Sequence, residues 1–238
     1  MRLACPYQLS PTQNLIAGGM QASARNAAAY LPSDNPTSLV GWFRMGVGVT
    51  SSGGFASAWA DQSGNGNDLL QATGTNQPAY DGSAILTFDG IDNFMKCVAF
   101  TLNQPEQVSM LFSQVSWTSA DSLFDGDTGG NKMRIFQWTA SPRIDMYAGN
   151  FGPNSSGMVI GSFSAVTALF NGASSSLKVD SAVAATGNVG ANNAAGFVLG
   201  NNGVGTASSS NIAVKEIIIR NVADATIRAD DHAYLQTL

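Results

Sequence analysis

The feature that most constrains this 238-residue chain is its rhythm. Short apolar runs recur about every 8–15 residues, and clusters of Gly, Asn, Asp, Ser and Pro separate them. That spacing favours an all-β chain over alternating strands and helices. The richest sample runs from Trp59 to Met95. Trp59 and Ala60 end a strand. Asp61 to Asp68 forms a turn built on Gly64 and Gly66, residues that tolerate positive φ. Ile85 to Phe88 alternates as a half-buried strand does. Asp89-Gly90 is a hairpin-type turn pair, and Phe94 and Met95 open the next strand.

The rest of the chain repeats the pattern. Strands are expected at Leu39 to Phe43, Val98 to Leu102, Met158 to Phe163, Val166 to Phe170, Ser175 to Val179, Gly196 to Gly200 and Ile212 to Arg220. Gln107 to Trp117 is almost continuously apolar, as in a central strand covered on both faces. Lys132 to Trp138 and Arg143 to Tyr147 pair around a proline-containing turn. Asn171-Gly172 reads as a tight turn. Asp224 caps the one convincing helix, which runs to about Leu238 with Ile227, Tyr234, Leu235 and Leu238 on one stripe. About twelve to fourteen strands in this order predict a two-sheet antiparallel jelly-roll sandwich with one short C-terminal helix.

Two domains follow from composition. Residues 1–38 read as an extended arm and linker, with a short helix at 21–30; residues 39–238 form the jelly roll. Such an arm buries too little surface to order alone, so its own sandwich or a neighbouring subunit is expected to hold it. The start of the chain lacks the apolar run of a secretory signal, and no stretch reaches the roughly 20 apolar residues of a membrane span. The expectation is a protein made in the host cytoplasm, used without processing, and not held by a membrane.

Charged residues make up 11% of the chain, against roughly 25% in an average soluble domain. Small polar residues cost little side-chain entropy when ordered, which suits packing into assemblies. The net charge is −5 and there is no basic cluster, so no nucleic-acid partner is expected. Cys5 and Cys97 lack metal-ligand spacing and read as buried thiols rather than a disulfide.

The phrases W-x-D-x-S-G-N-G-N-D (from Trp59), Q-A-T-x-x-x-Q-P (from Gln71) and L-T-F-D-G-x-D-N-F (from Leu86) resemble those of the concanavalin A-like lectin/glucanase superfamily, in its laminin-G-like branch. Val166 to Asp180, Phe197 to Gly200 and Ile212 to Asn221 fit the same pattern, so the likeness covers residues 39–238. Similar domains occur in bacterial surface proteins and tailed-phage virion proteins. The resemblance implies two facing antiparallel sheets.

Chemistry is sparse. Glycoside hydrolysis needs two carboxylates about 5–9.5 Å apart, which the glucanase branch carries on one strand as E-x-D-x-E or E-x-D-x-x-E. Glu106 and Glu216 are the only glutamates here. Asp61, Asp68, Asp81, Asp89, Asp92, Asp125 and Asp127 sit in turns, where turn chemistry accounts for them. His232 reads as a surface residue of the helix beside Asp230 and Asp231. No catalytic residue, no cofactor and no enzymatic activity are therefore expected. Laminin-G-like domains often bind calcium, and Asp125 with Asp127, or Asp61, Asn65, Asn67 and Asp68, offer oxygens; both sets also read as Asx turns. Trp138, Tyr147 and Phe151, near Asn150 and Asn154, are candidates for a glycan platform; alternatively Trp138 and Tyr147 face the core. The leading expectation is a non-enzymatic virion protein: a phage capsid decoration or tail/fibre subunit, anchored by its arm to other virion proteins or copies of itself. The alternative is a lectin-like module that grips a host or surface glycan.

Overall fold

The computed structural model describes residues 30–127, 132–203 and 208–238. Most of the expected arm, its helix at 21–30 apart from Tyr30, Cys5 and Thr128 lie outside the described residues. Within them the chain is all-β, its strands pair antiparallel, and one helix follows. The strands are β1 (Leu39–Phe43), β2 (Val49–Ser52), β3 (Phe55–Trp59), β4 (Leu69–Leu70), β5 (Ala79–Tyr80) and β6 (Leu86–Asp89). Then come β7 (Met95–Leu102), β8 (Glu106–Gln114), β9 (Ser122–Asp125), β10 (Arg134–Gln137), β11 (Ile144–Tyr147) and β12 (Phe151–Asn154). Last are β13 (Phe163–Phe170), β14 (Ser175–Val179), β15 (Ala185–Gly187), β16 (Ala194–Leu199) and β17 (Asn211–Arg220), before α1 (Ala225–Leu235). No helix among the described residues is long and apolar enough to cross a membrane.

Pairing is continuous. It runs from β15 through β14, β13 and β8 to β17. β17 holds β6 along its first half and β1 along its second. From β6 the ladder passes through β5, β3 and β4 to β7, and then through β16, β9, β10 and β11 to β12. One barrel-like sheet thus wraps a single core, where two separate sheets were expected. Phe124 lies at its centre, stacked on Phe197 at 5.0 Å and edge-on to Phe170 at 6.2 Å.

The Trp59–Met95 stretch works as a staple. Asp61 accepts hydrogen bonds from the Trp42 and Ser63 amides and the Ser63 hydroxyl, at 2.9, 2.8 and 2.7 Å. The side chains of Asn65 and Asn67 donate to the carbonyls of Leu39 and Val40, both at 2.8 Å. Gly64 and Gly66 adopt φ of +88° and +74°, which lets the loop fold back over β1. The turn chemistry legible in the sequence therefore ties β1 to β3 and β4.

A register shift between Val214 and Glu216 decides what faces the helix. Before it Ile212 and Val214 point into the core; after it Ile217 and Ile219 do. A bulge inverts side-chain alternation, so Glu216, Ile218 and Arg220 turn outward beneath α1. The sequence predicted an apolar stripe on that helix. Instead α1 buries Asp231 and His232 along with Tyr234 and Leu235, while Leu238 is exposed. The reason is the surface below, which is polar: Arg220 Nε donates to Asp231 at 2.6 Å, and Tyr234 donates to Glu216 at 2.7 Å. His232 is 2% exposed and not a surface residue, with Nδ1 2.9 Å from the Thr167 hydroxyl and Nε2 2.8 Å from the Asp180 carbonyl.

On β8, Val108, Met110 and Phe112 face the core, so alternation places Glu106 and Gln114 on that side too. Gln114 accepts from Gln137 of β10 at 2.7 Å. Glu106 is fully buried, and neither carboxylate oxygen has a partner among the described residues. Burial pushes its pKa well above the ordinary 4.5, because a lone charge in apolar surroundings is costly. The protonated folded form is thus favoured at low pH, and its advantage is lost as pH rises from 4.5 toward the folded pKa. Glu106→Gln is expected to match the parent chain in denaturant melts at low pH and to be the more stable of the two at neutral pH. Parallel stability curves across that range would contradict this.

Candidate functional site

β10 to β12 carry the most distinctive exposed chemistry among the described residues. On β10, Ile135 faces the core, so Arg134, Phe136 and, just past the strand, Trp138 face outward. Register places Tyr147 opposite Arg134 and Asp145 opposite Phe136, on the same outer face. Phe151 of β12 pairs with Tyr147. Trp138 and Phe151 stack at 5.4 Å with planes 27° apart, and Tyr147 meets Phe151 edge-on at 5.4 Å. Phe136 lies beneath them, 5.5 Å from Trp138 and 6.0 Å from Phe151. Phe151 is 57% exposed, while Trp138 and Tyr147 are half-buried. Three of the four glycan candidates therefore form one aromatic shelf, and their rings turn away from the core. Asn150 is exposed on the turn leading into β12, where its backbone N–H donates to the Val189 carbonyl at 2.8 Å. Asn154 is exposed at the far end of β12.

Charged groups that sequence reasoning missed border the shelf. The Arg134 guanidinium lies 3.9 Å over the Phe136 ring and 5.9 Å from that of Tyr147, a cation–π stack. Burial pushes its pKa down, and the Asp125 carboxylate acts the other way. Asp145 is buried and makes a two-point contact with Arg143, at 2.9 and 2.7 Å. Period-two alternation from Trp138 back to Arg134 was the available signal. Asp121 joins β10 through its carbonyl, which accepts the Gln137 amide at 2.8 Å. Partial burial raises its carboxyl to about 6, against a hydrogen bond from Thr118 that lowers it.

The other candidates lie elsewhere. The carboxylates of Asp125 and Asp127 are engaged within the protein. One Asp125 oxygen takes the Gly126, Lys132 and Met133 amides at 2.8, 3.1 and 3.2 Å, and Asp127 pairs with Lys96 at 3.3 Å. The Asp61–Asp68 oxygens serve the staple. No group of three His, Cys, Asp or Glu placed to hold a metal occurs among the described residues. Glu106 points into the core and Glu216 toward the helix, so the two glutamates do not share a cleft. A cavity of about 500 Å³ opens beside β4 and β7. Its polar groups are engaged: the Gln71 side chain bonds the Phe94 carbonyl and the Thr73 amide, and Lys96 holds Asp127.

No family model matches the chain, and no curated protein matches its sequence. Solved structures do resemble it. Trypanosoma rangeli sialidase has a TM-score of 0.58 at 14% identity over 84% of this chain and 32% of the sialidase. The same enzyme in complex with a difluoro-nononic acid reaches 0.61 over 85% and 33%. An arabinofuranosidase complexed with arabinofuranosyl-alpha-1,2-xylobiose scores 0.58 at 13% identity over 76% and 50%. This chain spans about a third of the sialidase and half of the arabinofuranosidase, and at these identities what is shared is the fold.

These neighbours correct the leading expectation. They are glycosidases, which overturns the reading as a non-enzymatic virion protein, together with its phage decoration and tail or fibre assignments. The virion reading drew on a surface poor in long charged side chains, on the N-terminal arm and on phrases shared with phage domains, and none of these selects a chemistry.

Arg143→Ala strands the buried Asp145 carboxylate and is expected to cost about 1–3 kcal/mol. Phe151→Ala trims an exposed ring and is expected to cost about 0.5 kcal/mol or less. Chemical denaturation of both variants checks the contrast; equal losses would mean that Phe151 is a structural residue.

Proposed function

We propose that this chain serves carbohydrate processing by holding a saccharide against the Trp138–Phe151 shelf, on a two-layered jelly-roll body of the concanavalin A-like kind. The single observation that carries the reading is the stacked, outward-facing pair of rings at 5.4 Å, with Tyr147 edge-on beside it. Aromatic faces carry negative potential, and the axial C–H groups of a pyranose present a weakly positive apolar patch to them. Asn150 and Asn154 flank the rings with amide donors and acceptors for the hydroxyls. Arg134 and the Arg143–Asp145 pair brace the strands beneath, so the rings are held before ligand arrives. The likeness in fold to enzymes whose structures were solved with sugar ligands supports the same reading.

One observation favours a second reading, glycoside hydrolysis. Asp121, whose carboxyl partial burial raises to about 6, has the character of a general acid, and it stands just before β9, the strand that pairs with β10.

Calorimetric titration with a panel of neutral and acidic oligosaccharides tests the shelf. Binding to at least one class is expected, with Trp138→Ala weakening it about tenfold or more. No binding across the panel, or binding indifferent to Trp138 and Phe151, would refute it. Reducing-sugar release from the bound saccharides tests hydrolysis. A reaction that uses Asp121 as acid should slow as pH rises past about 6, where the carboxyl loses its proton, and should be lost in Asp121→Asn. No release, or release unchanged in that variant, would exclude the role.

A further inference from the structure

On the side of the sheet that carries the helix, α1 packs on β13 and β8, and a second cavity of about 300 Å³ opens between α1 and β13, β14 and β15. Its wall follows from register. Thr167 of β13 pairs with Lys178 of β14, and Ser176 of β14 pairs with Thr186 of β15. Directly opposed residues share a face, so two hydroxyls from one row and a hydroxyl with an ammonium from the next line one side. On α1, Arg228 and His232 are four residues apart and close the other side. Ala225 and Ala229 leave room beside them.

The charge here is unlike that of the rest of the molecule. The chain carries −5 overall and only 11 Lys and Arg residues. Two of them face this one cavity, no carboxylate lines it, and neither has a carboxylate ion-pair partner within 4 Å among the described residues. The nearby acids are committed elsewhere. Asp224 caps the helix, accepting from Thr226 and Ile227 at 2.7 and 3.0 Å, although its charge is felt by Arg228. Asp180 turns its carboxylate to the Ala165 amide at 2.8 Å, and Asp231 is paired with Arg220. His232 spends both ring nitrogens on Thr167 and the Asp180 carbonyl, so it forms a fixed wall. The N-terminal end of α1 adds its positive dipole end to the same space.

We propose that this cavity binds one oxyanion group (a phosphate, sulfate or carboxylate) between Lys178 and Arg228, with the Ser176 and Thr186 hydroxyls completing its hydrogen bonds. Two cations of this kind bind an oxyanion through charge-assisted hydrogen bonds that water displaces poorly in a cleft. The volume exceeds that of a bare ion, and the alanines accept the small body that carries it.

The test titrates the full chain with inorganic phosphate at constant ionic strength, with chloride as control. The readouts are calorimetry and the His232 imidazole resonance. Saturable binding is expected, with a shift of His232 because an anion beside it favours its charged form. Lys178→Met and Arg228→Met should each weaken binding about tenfold, and Lys178→Arg should retain most of it. Glucose 6-phosphate binding tighter than inorganic phosphate, with glucose inert, would show that the site takes a phosphorylated small molecule; equal binding of the two would assign it to the free ion. A response no greater than that of chloride, or one undiminished in the Lys178→Met/Arg228→Met double variant, would overturn the proposal. Should that double variant fail to fold, an unmoved His232 resonance in the parent chain would overturn it equally.

Discussion

Arg220 and Asp231 form the interaction on which the packing of the outer layer depends. Both are fully buried, and they meet at 2.6 and 2.9 Å. A guanidinium has five N–H donors, and these reach Asp231, the Tyr30 hydroxyl, the Pro32 and Asn35 carbonyls and the Ser38 hydroxyl. Gln107 and Tyr30 complete the Asp231 carboxylate, at 2.7 and 2.8 Å. A buried ion pair gains little over apolar packing unless its remaining groups are satisfied. Here they are, and in being satisfied they fix the segment from Tyr30 to Ser38, the end of β17, the start of β8 and the helix against one another.

The outer face of β10 to β12 is built differently. Among the described residues no helix covers β10 to β12. Their outward row is aromatic and basic where a solvated strand face would be small and polar. Arg134 covers Phe136, and Phe136 in turn supports Trp138 and Phe151. The exposed rings thus rest on a packed and charged foundation, which keeps them in place without a ligand.

Local chemistry was legible in the sequence, and long-range pairing was not. Asp61, Gly64, Asn65, Gly66 and Asn67 could be read as a turn because Asp61 bonds Ser63 and Asn67 within a few residues, whereas the bonds from this turn to Trp42, Leu39 and Val40 of β1 could not be foreseen. Strand positions followed from alternation. The burial of His232 and Asp231 could not be read, because it depends on a bulge at Val214–Glu216 that turns Arg220 toward a helix eleven residues later in the chain. Trp138, Tyr147 and Phe151 were recognisable by residue type, but Arg134 and Asp145 were passed over, since charged residues in a strand are ordinarily read as solvated. Continuous pairing through β4 and β5 was hidden too, for two-residue strands leave no periodic trace. A low content of charged residues is compatible with more than one kind of partner, so it could not by itself distinguish a virion protein from a fold shared with glycosidases.

The measurement that addresses the central claim most directly is an NMR map of the isotope-labelled chain with a saturating oligosaccharide. The account predicts that the perturbed resonances cluster on the Trp138 indole, the Tyr147 and Phe151 rings and the Asn150 amide, with nuclear Overhauser contacts from sugar ring protons to the Trp138 and Phe151 faces. Perturbations centred elsewhere, or contacts that leave those two rings untouched, would contradict it.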